Sequence, residues 1–178
     1  ANFLVGICAF LPFPGWQKMV AFLSSASILS YGIGPICLLA LRKIQPEQRR
    51  PFKLLGSLFF CNIAFYVCNL MLYWCGFSVI WKLCLAILFG FIIYLCYQKR
   101  NFWSGNYSLY WFFSYITVLL LLSYLGPFGG IARLKFPFGM LIIFPFSLLM
   151  LYLSQYCLVR DQAEKESFDL MNKQLQDL

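Results

Sequence analysis

The sequence predicts an all-α fold, a polytopic bundle of membrane-spanning helices. Of the 178 residues 62% are hydrophobic and only 11% are charged, whereas a soluble domain carries about 25% charged residues. The apolar residues form five blocks of about 19 to 24 residues, enough for an α-helix to cross about 30 Å of hydrocarbon. Basic residues lie at the ends of these blocks. Because backbone groups in lipid must bond internally, the blocks are predicted to be helices, and the short alternating segments of a β-barrel are missing.

The apolar blocks define a membrane domain over residues 1–158. It begins with a partial span at residues 1–12, which is too short to cross the hydrocarbon core. The full spans follow at residues 18–41, 54–74, 79–97, 107–125 and 136–158. Residues 159–178 hold five of the six acidic residues and are predicted to form a cytoplasmic tail. Apolar residues at helical spacing allow an amphipathic helix there, but a solvated, loosely packed extension is favoured.

The basic residues predict the orientation of the spans. Four of the 14 fall on one side of the membrane, at Lys18, Lys82, Arg133 and Lys135, and the other ten fall on the opposite side. Because cytoplasmic loops carry an excess of lysine and arginine, the side with ten is predicted to be cytoplasmic. The C-terminus is therefore expected inside the cell.

Composition argues against several classes of function. The net charge of +8 does not indicate nucleic-acid binding, because the basic residues flank apolar segments and form no separate soluble face. No histidine is present, and no aspartate or glutamate lies within a predicted span, so no enzymatic constellation is found. The eight cysteines include no CxxC pair, which favours reduced packing residues over a metal site. We expect no enzyme activity, no metal and no cofactor.

Neutral polar residues form a stripe on the first full span. Ser24, Ser27 and Tyr31 are spaced three and four residues apart, which places them on one helix face. Such a stripe either lines a pathway or packs against another helix, since small residues allow helices to approach closely. Spacing alone favours packing.

The same span contains helix-breaking residues one turn further along. Pro35 lacks an N–H, and its ring crowds the carbonyl of Tyr31. Gly32 and Gly34 weaken the same turn, so a kink is predicted here. In the next span, Asn62 and Asn69, seven residues apart, are expected to make interhelical hydrogen bonds that hold helices together.

An ordered set of motifs in the first 55 residues resembles a known family. The segment FLSSASILSYGIGP is followed by LLALRK and then by RPFK. This order is similar to the pattern of the tenth helix and its cytoplasmic exit loop in prokaryotic amino acid permeases of the amino acid–polyamine–organocation (APC) superfamily. The loop residues that carry the likeness are Arg42, Lys43, Pro46, Arg50, Pro51 and Phe52. Lys53 departs from the arginine that is usual in the family.

The resemblance implies a place within a larger transporter. The family fold has two inverted five-helix repeats, and this chain would supply its C-terminal portion with additional C-terminal helices. Residues 1–12 would end helix nine, and residues 20–41 would be helix ten, which flanks the pathway. The helices that make most of the contacts with the substrate would precede Ala1. The implied protein is a secondary amino acid transporter of the prokaryotic inner membrane, with lipid, the preceding helices and an amino acid as partners.

Two functions remain open at this point. The first is the C-terminal segment of an amino acid permease, which is not expected to transport alone. With the resemblance, a pathway-lining role and a packing role are equally favoured for Ser24, Ser27 and Tyr31. The alternative is a non-transporting multi-helix membrane scaffold or assembly partner, which the absence of intramembrane charge would suit.

Overall fold

The computed structural model describes residues 15–49, 51, 55–97, 107–134 and 137–176, and within the last range no side chain is described at 165, 166 or 168–176. Every structural statement below concerns these residues. The predicted partial span at residues 1–12 lies outside them, as do Arg50 and Phe52 of the loop motif.

The described residues form five α-helices joined by short connections, and no strand occurs among them. Each helix is long and apolar enough to cross a membrane, which confirms the predicted all-α membrane bundle. The membrane limits of the spans and the division of the chain at residue 158 stay predictions. The helices are α1 Trp16–Ile44, α2 Ser57–Cys75, α3 Phe77–Tyr97, α4 Tyr107–Leu125 and α5 Phe138–Gln176.

Helix α2 lies at the centre of the packing. It makes its most extensive contact with α1, and α5 packs against α4, α2 and α1. The bundle core is built from apolar side chains of all five described helices, most of them from α2, α4 and α5, among them Phe65, Leu72, Leu119 and Leu151. Helix α3 is buried only near its start, at Ile80 and Leu83.

The connections at one end of the bundle are fixed by close glycine contacts. Gly76, between α2 and α3, has a φ of 86°, and a Cβ there would lie 2.8 Å from the Phe128 carbonyl oxygen. That carbonyl accepts a hydrogen bond from the Phe77 amide at 2.9 Å. The Tyr73 hydroxyl lies in a socket against Gly126 and Gly139, where side chains would not fit.

Helix α5 extends far beyond the predicted span. Its 39 residues give a length of about 58 Å at 1.5 Å per residue, roughly twice the hydrocarbon thickness. The helix therefore continues through most of the predicted tail. The expectation of a loosely packed extension is wrong at the start of the tail, because Asp161 is buried and hydrogen-bonded to the first turn of α4.

Candidate functional site on the open face of α1

Helix α1 has one side that packs on the bundle and one that does not. The packed side carries Ser25, Gly32, Ile36, Leu39 and Ala40, all buried. A Cβ on Gly32 would lie 3.8 Å from both Phe65 and Cys68 of α2. The missing side chain lets the two helices approach closely, as small residues do at membrane helix contacts.

The predicted stripe lies on the other side of α1. Ser24, Ser27 and Tyr31 are all exposed, and the side chain of Tyr31 is 72% exposed. The Ser27 hydroxyl donates to the Leu23 carbonyl at 3.0 Å, within its own helix. The structure thus brings the three residues together on a face that the described helices leave open. Whether this face lines a pathway stays a prediction.

The predicted kink residues are divided between the two faces. Helix α1 is continuous through Pro35. Gly32 belongs to the packed side, whereas Gly34 is exposed and no atom of another helix lies within 4 Å of a Cβ placed there. One glycine therefore has a packing role, and the other leaves a gap beside Tyr31 on the open face. The kink itself stays a prediction.

The basic end of α1 is anchored to two other helices. Arg42 donates through Nη1 to the hydroxyl of Ser57, the first residue of α2. Lys43 places its Nζ 6.0 Å from the ring centre of Tyr152 on α5, within the range of a cation–π contact. Pro46 and Pro51 are exposed in the connection that follows. The first part of the loop motif therefore also holds the end of α1 against the bundle.

A second polar group lies inside the bundle, on three helices. Asn69 of α2 is 0% exposed and donates through Nδ2 to the Ser147 hydroxyl of α5 at 3.0 Å. Its Oδ1 accepts from the Tyr115 hydroxyl of α4 at 2.6 Å, and Ser147 donates to the Ile143 carbonyl at 2.8 Å. The predicted interhelical bond of Asn69 is confirmed, whereas that of Asn62 stays a prediction. The sequence did not reveal Tyr115 and Ser147 as its partners, since neither stands out among many similar residues.

With this geometry in place, comparison with known proteins points in one direction. The chain is similar to bacterial amino acid transporters. It is 32% identical over 167 residues to an aspartate-proton symporter of Bacillus subtilis, an alignment that covers 87% of this chain and 31% of the relative. It is 30% identical over 154 residues to the glutamate/serine transporter AimA of the same organism, covering 83% of this chain and 29% of the relative.

The chain spans less than a third of the length of these curated relatives. Both relatives are named as transporters, not as enzymes, which agrees with the class of function expected from the residues. No protein-family model matches the chain, and no solved structure matches it.

Proposed function

We propose that the chain is the C-terminal segment of a secondary amino acid transporter of the APC superfamily, acting in uptake or exchange. The observation that carries the proposal is the similarity along 87% and 83% of the chain to two amino acid transporters. The ordered motifs of α1 and its exit loop support the superfamily and the position within it. The remainder of the transporter, by this proposal, supplies the helices that choose and bind the amino acid.

The open face of α1 is the proposed contribution of this segment to the pathway. Ser24, Ser27 and Gly34 are small, so they leave space beside the exposed ring of Tyr31. A preceding transporter helix can approach such a surface closely, and hydroxyl groups can pair across the contact or face water. We assign Ser24, Ser27 and Tyr31 to the lining or gate, with Pro35 allowing α1 to bend.

The relatives suggest which amino acids to try first. Their names refer to aspartate in one case and to glutamate and serine in the other. The proposed orientation in a prokaryotic inner membrane places the connection after α1 and the end of α5 in the cytoplasm. The basic residues of that connection are consistent with this orientation.

Uptake into liposomes tests the proposal. The complete protein encoded by the gene should take up radiolabelled aspartate, glutamate or serine with saturation, and excess unlabelled substrate should compete. Liposomes that contain only residues 1–178 should show no saturable uptake. Saturable uptake by the 178-residue chain alone would contradict the segment proposal.

The behaviour of the isolated chain separates this function from the scaffold alternative. By the proposal, the open face of α1 lacks its neighbours, so the chain alone should aggregate in mild detergent or be degraded in cells. A stable and monodisperse monomer, together with a complete gene product that transports none of the three amino acids, would favour the scaffold.

A further inference from the structure

The first turn of α4 is held by a carboxylate from α5. Asp161 accepts hydrogen bonds from the amide of Tyr107 at 2.7 Å and from the amide of Ser108 at 2.9 Å. The Ser108 hydroxyl also donates to this carboxylate. Tyr107 and Ser108 are the first two residues of α4, and the side chain of Asp161 is buried.

This arrangement is a helix cap that comes from a distant part of the chain. The first amides of an α-helix have no acceptor within the helix, and a carboxylate beside them is favoured by the positive end of the helix dipole. A capping side chain ordinarily belongs to the residue just before the helix. Here the acceptor lies more than 50 positions away, so this cap forms only when the two helices meet.

Two neighbours of Asp161 on α5 contact the same two-residue segment. The guanidinium carbon of Arg160 lies 4.2 Å from the ring centre of Tyr107, close enough for a cation–π contact. The Tyr107 hydroxyl donates to Glu164 at 3.2 Å. Consecutive contacts from one turn of α5 therefore hold the ring, the hydroxyl and the amide of Tyr107.

We infer that residues 160–164 of α5 act as a strap whose docking is coupled to the order of the first turn of α4 through Asp161. When the strap lies against α4, the carboxylate completes the helix start. When the strap moves away, the two amides lose their acceptor and the first turn frays. The inference concerns the fold and does not depend on transport.

Hydrogen–deuterium exchange on the complete gene product in detergent tests the coupling. In the wild-type protein the amides of Tyr107 and Ser108 should be protected, although the first amides of a helix ordinarily exchange fast. In Asp161→Asn they should exchange at least about tenfold faster, because a hydrogen bond to a charged group is lost. Exchange in α2 should stay the same. Glu164→Gln is the matched control, since it removes the same charge one turn away and should leave both amides protected.

Limited digestion with trypsin gives a second readout. Cleavage after Lys165, a bond that includes neither substituted residue, should be faster in Asp161→Asn than in the wild-type protein and in Glu164→Gln, because the strap is released from α4. Three results would overturn the inference: fast exchange of both amides in the wild-type protein, equal effects of the two variants, or a rise in exchange spread evenly over all five helices. The first of these needs no variant, so the test stands even if Asp161→Asn does not fold.

Discussion

The bundle holds two clusters of polar side chains that differ in where their hydrogen-bond partners lie. The inner group is Asn69, Tyr115 and Ser147, and the outer stripe is Ser24, Ser27 and Tyr31. Asn69, Tyr115 and Ser147 lie on three different helices, are buried, and form hydrogen bonds with one another. The residues of the outer stripe lie on a single helix and are exposed. In the contacts described, the hydroxyl of Ser27 donates only to the Leu23 carbonyl of the same helix. The first group is complete within the chain. The second presents small and polar groups to whatever lies beside α1.

The two clusters differ in what they contribute: the inner group fixes how helices pack within the bundle, and the outer stripe offers a surface to a neighbour. A buried amide in an apolar bundle costs free energy unless its partners are all in place, so the inner group specifies how α2, α4 and α5 align. The outer stripe has no such role in the alignment of the described helices. Its contribution, if the proposed function is right, appears only when the rest of a transporter is present.

The largest expected effect comes from removing the inner group at its centre. Asn69→Leu leaves the Tyr115 hydroxyl without its acceptor and the Ser147 hydroxyl without its donor, so the free energy of unfolding should fall by about 1 to 3 kcal/mol. Thermal unfolding of the complete gene product in detergent measures this loss. Asn62→Leu is the matched control, because Asn62 lies two turns earlier on α2 and is only partly buried; its effect should stay within about 0.5 kcal/mol. Equal losses of unfolding free energy in the two variants would mean that the hydrogen bonds of the inner group do not stabilise the bundle.

A matched pair of glycines compares the two faces of α1 directly. Gly32→Leu and Gly34→Leu both gain helix propensity, up to about 1 kcal/mol, and the gain at position 34 is smaller because its Cβ crowds the ring of Pro35. Only Gly32 faces α2, where a Cβ alone would already be in van der Waals contact with Phe65 and Cys68. Gly32→Leu should therefore be less stable than Gly34→Leu by about 1 to 3 kcal/mol, the usual cost of overpacking.

Chemical or thermal denaturation of the two glycine variants in parallel gives this difference. In the complete transporter the order should reverse for activity, because leucine at position 34 fills the space beside Tyr31. Equal stability of the two variants would show that α1 does not pack on α2 through Gly32.

Features of the structure that depend on local stretches of sequence were predictable, and features that depend on contacts between distant residues were not. The helices were predictable because span length and apolar composition are properties of local stretches. The stripe on α1 was predictable because helical spacing fixes which residues share a face. Which way that face points was not, since it depends on the packing of Gly32 against α2.

The contacts between distant residues were the least predictable. Asn69 was recognisable as an amide in an apolar helix, but its partners on α4 and α5 depend on how the helices align. Asp161 looked like one of several acidic residues in a charged tail. Its burial depends on α5 continuing as a helix past the span and meeting the start of α4. The apolar spacing in the tail allowed a helix, but no local pattern places that helix against α4.

The smallest effect on stability is expected for two serine variants of α1, which test most directly whether the stripe takes part in transport. Ser25→Ala and Ser27→Ala each remove a hydroxyl that donates to a carbonyl of α1, Phe22 for Ser25 at 2.7 Å and Leu23 for Ser27 at 3.0 Å. Because both carbonyls belong to the same helix, both variants should change the free energy of unfolding by no more than about 0.5 kcal/mol. The two serines differ in face, since Ser25 is buried against the bundle and Ser27 is exposed. In the complete transporter, Ser27→Ala should therefore raise the KM for uptake by about two- to tenfold, the equivalent of one hydrogen bond, while Ser25→Ala should leave it unchanged. If both variants change uptake equally, or neither does, the exposed stripe has no specific part in transport and belongs with the lipid-facing surface of the helix.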